Sequence, residues 1–413
     1  MNTHTSQLTP VDDALQYLLE QASCAQAIEY IPLSDATGRA LAEDQISTID
    51  VPPWDNSAMD GYAVRFADLE KQQPLRISQR IPASAVGTSL VPGTAARIFT
   101  GAPIPAGADT VIMQEQCSIG EERVSFEAID QVKKDQNIRV RGDDLSVGQR
   151  VLQAGVRLGA PELGLLASVG IDRVPVYRKL KVAILSTGDE LVEPGKEVGS
   201  GKIYNSNRYS LTALIRALNM EPLSFGIVED SRQATEKAFR QAASQADLII
   251  SSGGVSVGEE DHVKAVIEQT GFLHLWRLAI KPGKPFAYGE FCDTPILALP
   301  GNPSAVLITF LILAKPYMLK MQGLTPTSIA PAIAEADFDL PQKSIRRRYL
   351  YARLDYAAPD AALELPKLQI YTNQSSGILS SASWAEGVAV VEVDQVISKG
   401  DRVRFYSFQS LLG

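Results

Sequence analysis

The chain has 413 residues, with 39 basic and 48 acidic side chains and a formal net charge of −9. That length allows about three domains at ~150 residues each, and 45% hydrophobic against 21% charged residues suits a globular protein with several buried cores. The acidic excess excludes a general nucleic-acid binder, which needs a basic face, and the one basic run, Arg346-Arg347-Arg348, is too short to reverse it.

The first segment predicts a helix, with Thr9 as N-cap, Pro10 at the first helical position, and Val11, Ala14, Leu15, Leu18 and Leu19 as one apolar stripe. Over residues 51–144, short apolar runs at 75–77, 97–99, 110–113 and 123–126 alternate with Pro and Gly turns, which predicts a β-rich domain. The stretch 145–178, with a helix-like piece at 161–169, matches residues 1–50 in texture better than it matches the β-rich block. The simplest account inserts the β-rich domain, 51–144, into a split domain made of 1–50 and 145–178.

The third region, 179–325, has the clearest periodicity. Strands at 180–185, 223–228, 248–250, 276–280 and 296–299 alternate with helices at 211–218, 232–246, 262–268 and 304–319. That alternation predicts a parallel, doubly wound α/β sheet. Beyond a Pro-rich linker at 325–331, short alternating strands form a last domain, 326–413.

The scarce residue types restrict the chemistry. Cys24, Cys117 and Cys292 are scattered and form no CxxC pair, which argues against a disulfide framework, a zinc knuckle or an iron–sulfur site. His4, His262 and His274 are the only histidines, so a His-rich metal site is excluded. The opening residues carry no secretory pattern, and the longest apolar stretch, 306–314, is far short of the ~20 residues that span a bilayer. The expectation is a cytoplasmic protein without membrane or nucleic-acid partners, whose chemistry comes from carboxylates, Lys, Arg, hydroxyls and backbone.

In open parallel sheets ligands bind beyond the carboxyl ends of the strands. Those ends carry Glu190, then Asp230, then the loop Ser251-Ser252-Gly253-Gly254-Val255-Ser256-Val257-Gly258 followed by Asp261. Converging carboxylates repel one another by a few kcal/mol (about 3 at ~5 Å and an effective dielectric of ~20) unless a cation sits between them. An all-oxygen set suits Mg²⁺ with retained waters; the alternative is that Asp230 and Asp261 cap the next helices. The Gly/Ser loop lets backbone N–H groups approach an anion, but it is neither a Walker A loop nor a GxGxxG fingerprint. Lys281-Pro282-Gly283-Lys284 sets two cations about a rigid turn, and Pro300-Gly301-Asn302-Pro303 opens a helix with free N–H groups for an anion. Together they describe a pocket for a phosphorylated ligand with a divalent metal.

Seven segments, DVPPWDNSAMDGYAV, TGAPIPAGADTVIMQE, RGDD, STGDEL, SSGGVSVGEEDHV, KPGKPFAYG and LPGNPSAV, occur in the order seen in MoeA, the molybdopterin molybdenumtransferase family. The C-terminal domain of gephyrin is similar. The resemblance covers nearly the whole chain. It implies an elongated split domain, an inserted β domain, a molybdopterin-binding α/β domain and a C-terminal β-barrel. It also implies the insertion of molybdate into the dithiolene of adenylylated molybdopterin, with Mg²⁺-dependent release of AMP.

Carried over by motif, Asp60, Glu190, Asp230, Asp261 and Lys281 look catalytic, with Glu190, Asp230 and Asp261 as metal ligands. Thr100, Asp144, Ser252, Gly253, Gly254, Ser256, Lys284, Pro300, Pro303, Arg353, Ser375 and Ser376 look substrate-binding. Asn205 departs from the pattern, since Asp is frequent there. The resemblance implies a homodimer with an active site shared between subunits, and a handoff of substrate from the molybdopterin adenylyltransferase. Three domains besides the α/β unit favour the transferase over that adenylyltransferase. The lack of a fused second module favours an enzyme over a gephyrin-like scaffold.

Overall fold

The computed structural model describes residues 8–254, 262–325, 328–355 and 365–412. Residues on both sides of the inserted block build one split unit. Ile28–Pro32 pairs antiparallel with Arg173–Tyr177, and Gln45–Ile46 pairs with Arg150–Leu152. Ala36 and Leu41 from the first side share a core with Leu158, Leu166, Val174 and Val176 from the second. Between these flanks lies a six-stranded sheet whose strand Gly61–Val64 runs between Thr110–Met113 and Thr94–Ile98. Apolar clusters cover both of its faces, one around Tyr62 and Val64 and the other around Ala63 and Ile98.

The N-terminal helix α1, Val11–Gln21, starts one residue later than its sequence signals suggest. Pro10 occupies the cap position without a side-chain cap bond. Thr9 is pulled into strand-like pairing instead, donating to the Arg277 carbonyl (2.9 Å) and accepting from the Ala279 N–H (2.7 Å). Val11, Ala14 and Leu18 are buried, as the stripe requires.

The α/β unit contains β1 (Lys181–Thr187), α2 (Ser206–Ala217), β2 (Glu221–Val228), α3 (Arg232–Ala243), β3 (Leu248–Ser252) and α4 (His262–Thr270). It continues with β4 (Gly271–Arg277), β5 (Ile280–Lys281), β6 (Pro285–Phe291), β7 (Thr294–Leu299) and α5 (Pro303–Met321). The sheet order is β2-β1-β3-β7-β6-β4. Alternation places Val182 and Ile184 against α2 and α5, and Ala183 and Leu185 against α3 and α4, so the sheet is wound on both faces.

The sheet is not wholly parallel. Strands β2, β1, β3 and β7 pair in parallel, whereas β6 pairs antiparallel with both of its neighbours, β7 and β4. The cause is the two-residue turn Cys292-Asp293 between β6 and β7, with φ of 50° and 61° at its two positions. A hairpin with both central residues left-handed reverses the chain, so no crossover helix intervenes. The expected single strand at 276–280 is accordingly two strands in two different sheets.

Helix α5 is long and apolar enough to cross a membrane by length and composition. It is nevertheless 72% buried within the chain. Its ladder shifts to a π-type turn over Phe310–Ala314, immediately before Pro316, whose ring and missing N–H disturb regular pairing.

The C-terminal region is a closed five-stranded barrel, with β8 (Ala332–Ala336), β9 (Arg347–Asp355), β10 (Lys367–Ile370), β11 (Gly387–Val391) and β12 (Arg402–Ser407). Around the ring the order is β9, β10, β8, β12, β11 and back to β9, while β5 attaches to the outside of β9. One core runs from Leu18 of α1 through the α/β sheet and α5 to Tyr349, Tyr351 and Val390 of the barrel. The barrel is thereby packed against the strand ends.

Candidate active site

Beyond the carboxyl ends of β1 and β3, a cleft of about 1420 Å³ opens between the α/β unit and the barrel. One wall carries the acids. Glu190 follows β1, Asp230 follows β2, and both carboxylates are exposed to the cleft. Asp230 is not the cap of α3: Ser231 is, its hydroxyl accepting from the Ala234 N–H at 3.3 Å. Asp189 links the two acidic loops by accepting from the Asp230 N–H (3.2 Å). The hydroxyls of Thr187 and Ser252 are buried at the strand ends, and neither has a hydrogen-bond partner among the described residues.

Gly253 and Gly254 form the start of the Gly/Ser loop, with φ of +94° and +67°. A Cβ on Gly253 would lie 2.8 Å from the Thr187 carbonyl, so only glycine fits against β1. The Gly253 N–H is spent on the Leu299 carbonyl (3.2 Å) and is not open to an anion. Ser256 and Asp261 lie outside the described residues.

The opposite wall carries the cations. Lys281 is exposed and Lys284 half-buried, flanking a buried Pro282-Gly283 turn. Arg346, just before β9, and Gln374, Ser375 and Ser376 from the barrel complete that side. Net charge alone gives the Arg346–Arg348 run no place in a site, and no motif marks Asn207 or Gln374; the fold brings Arg346, Asn207, His262 and Gln374 to this cleft.

The α5 start also differs from expectation. Asn302 and Pro303 do occupy the cap and first positions, yet the Ser304 N–H donates to the Ser376 carbonyl (3.0 Å) and Asn302 Nδ2 donates to Ser376 Oγ (3.1 Å). Part of this helix end is therefore used to dock the barrel loop. The Tyr351 phenol, pushed up to about 12 by burial, stays protonated and donates to the Ser304 carbonyl at 3.0 Å. On the far side of the same loop, Asn207 Nδ2 donates to the Gly301 carbonyl at 2.7 Å. Pro300 and Pro303 thus shape a loop braced from both domains.

Three family descriptions match in sequence order: "MoeA N-terminal region (domain I and II)" over residues 9–170, "Probable molybdopterin binding domain" over 183–320, and "MoeA C-terminal region (domain IV)" over 334–408. A molybdopterin molybdenumtransferase of Haemophilus influenzae is 41% identical over 98% of this chain and 99% of its own length. The chain belongs to the MoeA family of molybdopterin molybdenumtransferases. A Nostoc molybdopterin molybdenumtransferase is also 41% identical, over 74% of this chain and 72% of its own. A solved MoeA structure from Pyrococcus horikoshii superposes with a TM-score of 0.81 at 28% identity, covering 97% of this chain and 100% of that one.

Four of the residues that the MoeA resemblance singles out do not line the cleft. Asp60 and Thr100 form a pair on the inserted unit, where Asp60 Oδ1 accepts from both the Thr100 N–H and the Thr100 hydroxyl at 2.8 Å. These bonds, backbone first, hold the Asp60 carboxyl below the usual carboxylate range, and Arg97 adds to the effect. Asp144 is exposed near the junction with the split unit, its N–H donating to the Val51 carbonyl at 2.9 Å. Arg353 lies on the barrel, stacked 4.6 Å from the Trp384 ring centre and bonded to Gln369.

For the divalent cation, the donor set is the test. Among the described residues no group of three or more His, Cys, Asp or Glu gathers closely enough to hold a metal. Glu190, Asp230 and the two unpartnered hydroxyls do line one wall, and all are hard oxygen donors of the kind Mg²⁺ prefers while keeping several waters. Such a set fits Mg²⁺ and does not suit zinc or copper.

Proposed function

We propose that this chain inserts molybdate into the dithiolene of adenylylated molybdopterin and releases AMP in a Mg²⁺-dependent reaction. The observation that carries the reading is the single cleft with Glu190 and Asp230 on one wall and Lys281, Lys284 and Arg346 on the other. A pyrophosphate-bridged substrate and an incoming oxyanion are both anionic, and they need cations on one side and a metal-binding edge on the other. Glu190, Asp230 and Asp261 are assigned to Mg²⁺, which when bound would neutralise charge on the pyrophosphate bridge. Lys281 and Lys284 hold anionic oxygens, as do the barrel serines Ser375 and Ser376 through their hydroxyls. Thr187 and Ser252 offer buried hydroxyls to substrate oxygens at the strand ends.

We further assign the Asp60–Thr100 pair, Asp144 and Arg353 to a site completed across a homodimer, with substrate handed over from the adenylyltransferase that makes it. All three cysteines are free, which suits a reducing cytoplasm. Purified protein given adenylylated molybdopterin should release AMP only when molybdate and Mg²⁺ are both present. No AMP release with all components present sinks the reading.

A further inference from the structure

The Arg346–Arg348 run does not act as a block. Side chains alternate along a strand, and here the three arginines part company. Arg346 lines the cleft, Arg348 is buried and donates to the Gln395 carbonyl at 2.9 Å, and Arg347 reaches outward to helix α1. Arg347 meets Asp12 in a two-bond fork, Nη1 to Oδ1 and Nη2 to Oδ2, both 2.7 Å. Its Nε donates to Glu392 at 2.8 Å, and Glu392 also pairs with Arg404.

The same place joins three backbone segments. Thr9, three residues before Asp12, is hydrogen-bonded on both sides to the segment 277–279. Directly after it, β5 pairs in parallel with β9, Ile280 opposite Arg347 and Lys281 opposite Arg348. The Arg347 N–H donates to the Ala279 carbonyl at 2.8 Å. The segments bearing Lys281 and Arg346 are thus tied to each other by ladder bonds and to α1 by the Asp12–Arg347 fork.

We infer that Asp12 and Arg347 are a positioning pair for the oxyanion side of the cleft, fixing the roll of β9 and β5 so that Arg346 and Lys281 face the same ligand. Neither residue touches the ligand. The inference rests on the molybdate reading proposed for this cleft. A bidentate guanidinium–carboxylate contact is planar and directional, which a lysine or an amide cannot reproduce. It holds the strand against rotation about its axis, the motion that moves Arg346 relative to Lys281. The acidic wall, built on β1, β2 and β3, takes no part in the fork.

The test separates the two walls. Asp12→Asn sits on an exposed first turn of α1, so the fold should persist, with an unchanged thermal midpoint. KM for molybdate should rise roughly three- to tenfold, as small misplacements of a clamp cause, while KM for adenylylated molybdopterin and the saturated rate of AMP release stay put. Arg347→Lys should shift KM for molybdate in the same direction, and Asp12→Glu should recover part of the loss. Titration calorimetry with molybdate alone should show the same ranking. If Asp12→Asn and Arg347→Lys leave KM for molybdate unchanged while Lys281→Met raises it, the pair has no positioning role. A parallel loss in both KM values together with a lowered thermal midpoint reduces the pair to ordinary structural support and equally overturns the inference. If Lys281→Met itself has no effect on molybdate, the oxyanion reading of this wall fails and takes the inference with it.

Discussion

Lys281 and Lys284 reach one cleft from the two ends of a buried turn, but they do not start from the same environment. Lys281 is exposed and well hydrated; Lys284 is half-buried beside Pro285. A charge-assisted contact made from a drier site is worth more, and such contacts typically contribute ~1.5–3 kcal/mol. Replacing either lysine by Met keeps most of the stem and removes the charge, so affinity for adenylylated molybdopterin or molybdate should fall roughly ten- to a hundredfold. The larger loss should come from Lys284→Met. Calorimetry giving wild-type affinity for both variants would reclassify them as solvated lysines. The acids behave differently. Asp230 could have been read as a helix cap, and only the bond from the Ala234 N–H to Ser231 frees it for ligand contact. Asn205 has a local reason as well. Its Oδ1 caps α2 while its Nδ2 faces Glu193 at 3.4 Å, where an Asp would set one carboxylate against another.

At the level of elements, residues with strong periodicity were legible. The strand-helix alternation marks β1, α2, β2, α3 and β3, because each buries a full face against its neighbour. What the alternation could not reveal is the antiparallel strand β6, for which no strand was expected, since a two-residue turn at Cys292-Asp293 joins it to β7 where a helix would mark a crossover. Nor could it show that β5 leaves the α/β sheet to join the barrel, which depends on a partner strand far away in sequence. The cleft walls were legible as motifs, but Arg346 was hidden in a charge run. Helix α5 adds a buried cation: Lys315 is 5% exposed and donates to the Leu411 carbonyl. Burial, with Arg157 adding, lowers Lys315 from 10.5 to about 8. The folded chain then holds a neutral amine where the unfolded chain still binds a proton. Stability should therefore rise between about pH 8 and pH 10.5, by on the order of 3 kcal/mol. Below pH 8 both states are protonated, and the full cost of the buried charge remains. Lys315→Met should abolish that rise. A stability difference between wild type and variant that stays flat across this window in urea unfolding refutes the assignment.

At the scale of the whole molecule, the Asp60–Thr100 pair poses the main question. It is held in one geometry by two short bonds, yet it does not line the cleft formed by the α/β unit and barrel of its own chain. Two-fold association offers a simple resolution, with the inserted unit of one copy completing the cleft of the other. Asp60→Ala and Asp230→Ala should then each be inactive while still dimeric. Random pairing after subunit exchange makes about half of the dimers mixed. In a mixed dimer one cleft carries both defects and the other carries neither. Activity should therefore return to roughly a quarter of wild type, by that same pairing. If instead both residues serve a cleft within one chain, every cleft in the mixture carries one defect and mixing restores nothing. Tagged subunits followed by mass spectrometry verify that exchange has occurred, and exchange without recovered AMP release rules out the shared site.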